Sequence, residues 1–300
     1  MTTNKIPFNT KLNDTPKRIP GAAIDKYWQS EIISNLFPST RKNPAPDSFK
    51  YYDQYYLLDY FGINSFEYGN WLTQKDRYIY LSGAGLALYD LAKIIKVDPK
   101  KLGFKGRLNI TFGSRGVPNS LAHFEPANFL INITRHREGQ SYNSSGGGSL
   151  GHEWGHALDF YAGNFLSKQF YRYATQNTNN GVRPSGVVGY YYDFMIELCG
   201  PQNKSYQFTE PTQYILKLQK WCSENMGEDL AKYYLSNAEI FARSMESYLN
   251  YKCNVAGIKE TFLKKYNSEY LTAPYPDHVT IKRLAPLMDK LILETMKLIK

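Results

Sequence analysis

Residues 151–160 read GHEWGHALDF, and this stretch decides how the chain is read. It contains His152-Glu153-x-x-His156. On an α-helix, positions i and i+4 share a face about 6 Å apart along the axis. Two imidazoles at that spacing can both reach one zinc ion, each offering a nitrogen about 2 Å from the metal. Glu153 stands one residue on, so its carboxylate lies beside such a metal rather than on it. That is where a general base takes a proton from a water whose pKa the metal has lowered. Ser149 is a good N-cap residue, and a strand-like stretch comes before it. A helix is predicted from about 149 to 163. Two of the five histidines of the chain fall within this one helical turn.

The third metal ligand has to come from elsewhere. Asp159 and Ala162 stand where the metzincin extension HExxHxxGxxH needs glycine and histidine, so that class is excluded. Asp159 shares the His156 face and reads either as an acceptor for the outer N–H of His156 or as a solvated charge. The leading ligand candidate is Glu239 in SNAEIFARSMESY, residues 236–248. A glutamate on a separate, later helix is the gluzincin arrangement. Ser236-x-x-Glu239 also spells a capping box, in which Glu239 would reach back to the Ser236 N–H. Glu246, seven residues on and on the same face, is the fallback ligand.

Further out, residues 1–20 read as a polar arm, and 22–37 and 49–61 as aromatic-rich helical segments joined by a Pro-containing connector. A helix is predicted from Ser82, closed at Asp98-Pro99. Residues 107–112 and 129–134 alternate and read as strands. The loop over 138–149 ends in Gly146-Gly147-Gly148. No Gly-Lys-Ser/Thr follows, so it reads as a flexible hinge and not as a phosphate loop. Residues 164–210 read as largely irregular, with helices at about 212–224, 228–235 and 237–252. The tail, about 277–300, is amphipathic, and Pro286 is expected to split it into two pieces.

The chain has 300 residues, 42% hydrophobic and 21% charged, which suits a globular protein with a sizeable core. No run of 18 apolar residues exists, which excludes a membrane-spanning helix, and the first 20 residues lack the apolar centre of a secretory signal. Cys199, Cys222 and Cys253 form neither a CxxC pair nor a disulfide framework. The net charge of +9 reads first as simple solubility and only second as a fit to acidic partners or a nucleic-acid-rich setting. The basic cluster Lys93, Lys96, Lys100, Lys101, Lys105 and Arg107 reads first as a solvated face and only second as a nucleic-acid contact.

Taken together, ITFGSRG (110–116), LAHFEP (121–126), FLINITR (129–135), GGGSLGHEWGHALDFY (146–161) and NAEIFARSMESY (237–248) resemble the first large polyvalent-protein-associated domain family. Its members are zincin-like metallopeptidase modules of phages and mobile elements. The resemblance covers roughly residues 105–252, with 164–235 as an apparent insertion. It implies an α+β zincin fold, with the active-site helix packed on a small mixed sheet and strand 129–134 as the edge that pairs with substrate. Residues 1–75 would be an added, mostly helical region and 76–300 the metallopeptidase domain. The implied ligands of one zinc ion are His152, His156 and Glu239, with Glu153 as general base. His123 reads first as an ordinary partly buried histidine and only second as a group that orients substrate or stabilises the oxyanion; Arg115 reads first as a structural partner of Glu125 and only second as a substrate contact. The expected activity is hydrolysis of a protein or peptide, in the host cytoplasm or in association with a virion. The alternative is a catalytically silent zincin-fold binding protein that meets nucleic acid.

Overall fold

The structure is a computed structural model and describes residues 39–70, 72, 74–115, 120–134, 146–168, 172–177, 181–265, 270 and 272–299. The arm over 1–20, the helix expected over 22–37 and most of the 138–149 loop lie outside these residues. The fold is mixed α+β, with eight α-helices and two small sheets among the described residues. No helix there is long and apolar enough to cross a membrane. The chain divides into two compact units, one of Met1–Glu153 with Ala256–Lys265 and one of Trp154–Val255 with Tyr266–Lys300.

The first unit is built on a four-stranded sheet. Strand β1 (Thr40–Arg41) pairs with β6 (Ile258–Lys259) in a separate ribbon. The main sheet has the order β2 (Ser65–Tyr68), β3 (Asn109–Phe112), β5 (Leu130–Ile133), β4 (Ala122–Glu125). β2, β3 and β5 run parallel, and β4 is antiparallel to β5. Strand 129–134 is therefore not the edge. It is hydrogen-bonded on both sides, and all four of its residues are buried, as an interior strand requires. The edges are β2 and β4, and β4, which carries His123, is only half-buried along its length.

Directly paired residues point to the same face. One face is apolar, formed by Phe66, Tyr68, Ile110, Phe112, Ile131, Ile133 and Phe124. Helix α2 (Gln74–Ile95) lies on it, with the Tyr80 ring 5.9 Å from that of Phe112. α2 starts earlier than Ser82 because Tyr78, Ile79 and Tyr80 are themselves core residues. The other face carries a transverse polar row, Glu67–Thr111–Asn132–His123. Thr111 and Asn132 are buried there: the Thr111 hydroxyl donates to Asn132 Oδ1 at 2.9 Å, and the Arg115 N–H reaches the same oxygen at 3.2 Å. Helix α1 (Gln54–Phe61), capped by Asp53, completes the helices of this unit ahead of α3.

Helix α3 (Leu150–Phe160) carries the metal motif and continues as a π-turn over Tyr161–Leu166. The Gly146–Gly148 segment before it is held tightly rather than hinged. A Cβ on Gly146 would stand 2.1 Å from the Leu121 carbonyl oxygen, and Gly148 has φ +86°.

The second unit is helical: α4 (Val188–Cys199), α5 (Gln213–Asn225), α6 (Glu228–Tyr234), α7 (Asn237–Ala256) and α8 (His278–Lys297). α4 occupies part of the stretch expected to be irregular. α8 runs unbroken through Pro286, against expectation. Proline removes one hydrogen bond, but Ile281, Leu284, Met288, Leu291 and Ile292 bury a continuous stripe on either side of it. The Thr295 hydroxyl further ties α8 to Tyr191 of α4 at 3.1 Å.

Candidate metal centre

The ligand atoms of His152, His156 and Glu239 all lie within 4.8 Å of one another. α3 supplies the histidines by its i, i+4 repeat, and α7 supplies the carboxylate from its first turn. Glu239 Oε1 stands 3.1 Å from His156 Nε2, with both side chains buried. Tetrahedral zinc ligands at about 2.0–2.1 Å lie roughly 3.3 Å from one another, so small side-chain adjustments would seat the ion. Two imidazoles and one carboxylate are also the donor chemistry that zinc takes at catalytic sites. The residues present fit the metal.

The partners of Glu239 bear on the two roles open to it. Its backbone N–H approaches Ser236 Oγ at 3.4 Å, so the first half of the capping box is made. The second half is not, because the Ser236 N–H donates to Tyr233 O at 3.1 Å. The carboxylate is turned instead to His156 and to Arg243, whose Nη2 donates to Oε2 at 2.8 Å. Glu246 is engaged elsewhere: the hydroxyls of Tyr270 and Tyr275 donate to it at 2.8 and 3.2 Å.

Arg243 is the main residue of the centre that the sequence reading passed over. Its spacing four residues after Glu239 was the available signal. The pair is nearly dry, at 6% and 5% side-chain exposure. Arg243 also donates to Tyr234 O at 3.1 Å and lies 3.9 Å from the centre of the Tyr234 ring. It thereby fixes one oxygen of Glu239 and leaves the other toward His156. Replacing Arg243 with Met is expected to weaken zinc binding by about 10–100-fold, read by competition with a chromophoric chelator.

Asp159 is not a solvated charge. It is fully buried, and the Thr175 N–H and hydroxyl donate to it at 2.9 and 2.6 Å. Burial pushes its carboxyl up to about 7, against the pull of the Thr175 hydrogen bonds and of His156. The Thr175 carbonyl in turn accepts from Asn237, at the start of α7. This chain ties the C-terminal half of the histidine helix to the N-terminus of the glutamate helix. Tyr173 lies beside it, its ring 6.2 Å from that of His156. No sequence signal marked Tyr173.

Gly155, inside the motif, sets the approach of the two helices. A Cβ there would come 3.1 Å from Met245 and 3.5 Å from the Ala242 backbone. Gly155→Val is expected to cost about 1–3 kcal/mol by overpacking, seen as a lower denaturant midpoint.

Glu153 is buried, at 6% exposure, and lies three residues before His156, on a neighbouring strip of the helix. His123 sits on the β4 edge, where burial lowers its pKa against the pull of Glu125. Arg115 lies 3.7 Å from Glu67 and 3.8 Å from Glu125, as the Glu125 pairing anticipated.

Fold and cluster together define a mixed α+β protein with a candidate two-histidine, one-carboxylate metal centre. Residues 227–297 match the family described as large polyvalent protein-associated domain 1. This is the family that the motifs resembled, and the matched segment includes Glu239 and all of α6, α7 and α8. No curated protein and no solved structure matches the chain.

Proposed function

We propose that the chain is a single-zinc metallopeptidase of the gluzincin type acting on a protein or peptide. The convergence of His152, His156 and Glu239 carries this reading, since the carboxylate comes from a separate helix 83 residues beyond His156. A zinc ion bound there would polarise a scissile carbonyl and lower the pKa of water. Glu153 would take the proton from the attacking water and return it to the leaving amine. Arg243 and Asp159 would hold the ligand helices in place. The β4 strand, which ends the sheet order, would take an extended peptide as an added strand. A mixed sheet with an antiparallel edge strand, followed in the chain by the motif helix, supports a zincin-like arrangement.

One observation favours a second reading. His156, Glu239 and Arg243 already form a continuous polar chain, which a metal-free binding protein of this fold would also need. Zinc content per chain, by elemental mass spectrometry, separates the two. About one zinc, together with chelator-sensitive cleavage of a peptide library that zinc restores, supports the peptidase. No zinc after reconstitution would overturn it.

A further inference from the structure

A second buried cluster lies in the first unit, outside the metal centre. Glu260 follows β6 directly and is 2% exposed. Its two carboxylate oxygens accept the N–H groups of Phe262 and Leu263 at 2.7 and 2.6 Å, which closes a tight turn. That turn presents two carbonyls to the start of α3. Phe262 O accepts the Gly148 N–H at 2.9 Å, and Leu263 O accepts the Gly151 N–H at 2.8 Å. The N–H groups in the first turn of a helix have no partner within the helix, so here the backbone of the turn satisfies one. Gly148 allows the approach: a Cβ on it would stand 3.3 Å from both Thr261 O and Lys264 O.

We propose that Glu260 is a positioning residue for the metal helix, holding the turn that fixes the residues just before His152 and Glu153. The charges facing it are Asp90 of α2 and Arg41 of β1. Arg41 Nε lies 2.8 and 2.9 Å from the two Asp90 oxygens, and its Nη2 lies 2.7 Å from Oδ2. Burial and Asp90 push the Glu260 carboxyl up to about 7, while the two backbone N–H groups and Arg41 pull it down. One guanidinium thus serves two buried carboxylates, and the turn depends on Glu260 keeping both acceptor oxygens. A Gln at this position keeps one acceptor and turns the other into a donor facing an N–H.

This proposal rests on the metallopeptidase reading for its metal readout but not for its structural one. The experiment compares the full-length chain with Glu260→Gln and with Ile110→Val, a control that loosens the same unit from the sheet core. Amide hydrogen exchange over residues 146–153 is read without metal, and zinc affinity is read by chelator competition. Glu260→Gln is expected to speed exchange in that segment by about tenfold and to weaken zinc by about tenfold or more, with Ile110→Val moving neither selectively. Unchanged exchange overturns the proposal whatever the metal does, and so does faster exchange with unchanged zinc affinity. Failure of the wild-type chain to bind zinc overturns the peptidase reading and the positioning role with it, while exchange still shows whether Glu260 holds the helix start. Should Glu260→Gln fail to fold, Glu260→Asp, which withdraws the carboxylate by one methylene, is judged by the same criteria.

Discussion

Glu153→Gln is expected to leave about one zinc per chain and to lower turnover by a factor of about 100 to 10,000. The amide is close to isosteric, so the helix and both histidines stay in place, and only proton transfer is lost. Glu153 is buried on α3, between the two histidines in the chain. Zinc stoichiometry and turnover, measured on one preparation, check the prediction. Retained turnover would remove Glu153 from the chemistry. Joint loss of zinc and turnover would make it a ligand or a structural support instead.

The second large effect is expected at Glu239. Glu239→Ala should reduce bound zinc from about one per chain to below about a tenth, because two imidazoles alone hold the ion poorly. It should also cost about 3–5 kcal/mol of stability, because Arg243 is left buried without its carboxylate. Adding Arg243→Met to Glu239→Ala separates the two losses. Most of the stability is expected to return, as the stranded charge is gone, while the zinc is not. If the double variant regained zinc, the third ligand would lie elsewhere.

The histidine pair was legible because it is local: four residues on one helix determine their own geometry. Glu239 was legible only as a candidate ligand, since its short-range pattern fits a cap equally well. Only the tertiary approach of α3 to α7 brings its carboxylate to His156, and that approach depends on Gly155, whose lack of a side chain carries no long-range signal. α4 was passed over although Val188, Tyr191, Met195 and Leu198 fall at helical spacing, because Val187 at its start offers no side-chain cap. Pro286 misled in the opposite direction, as a buried stripe outweighs one missing hydrogen bond. The edge of the sheet was misplaced because alternation along a strand does not report how many neighbours it has. The two-histidine helix and the later glutamate were both quoted in the family resemblance, yet the family match itself begins only at residue 227.

The polar row across the main sheet bears on how the sheet finds its alignment. Sliding any one strand by a single residue would turn its polar side chains toward the phenylalanine-rich face and its apolar ones away from it. For Asn132 and Thr111 such a slip would also break the bond between them, and each stranded polar group costs about 1–3 kcal/mol. The row therefore works as a proofreading device. Mispaired sheets are penalised at the strand centres, and the alignment that satisfies Asn132 is the one that sets His123 opposite it on β4.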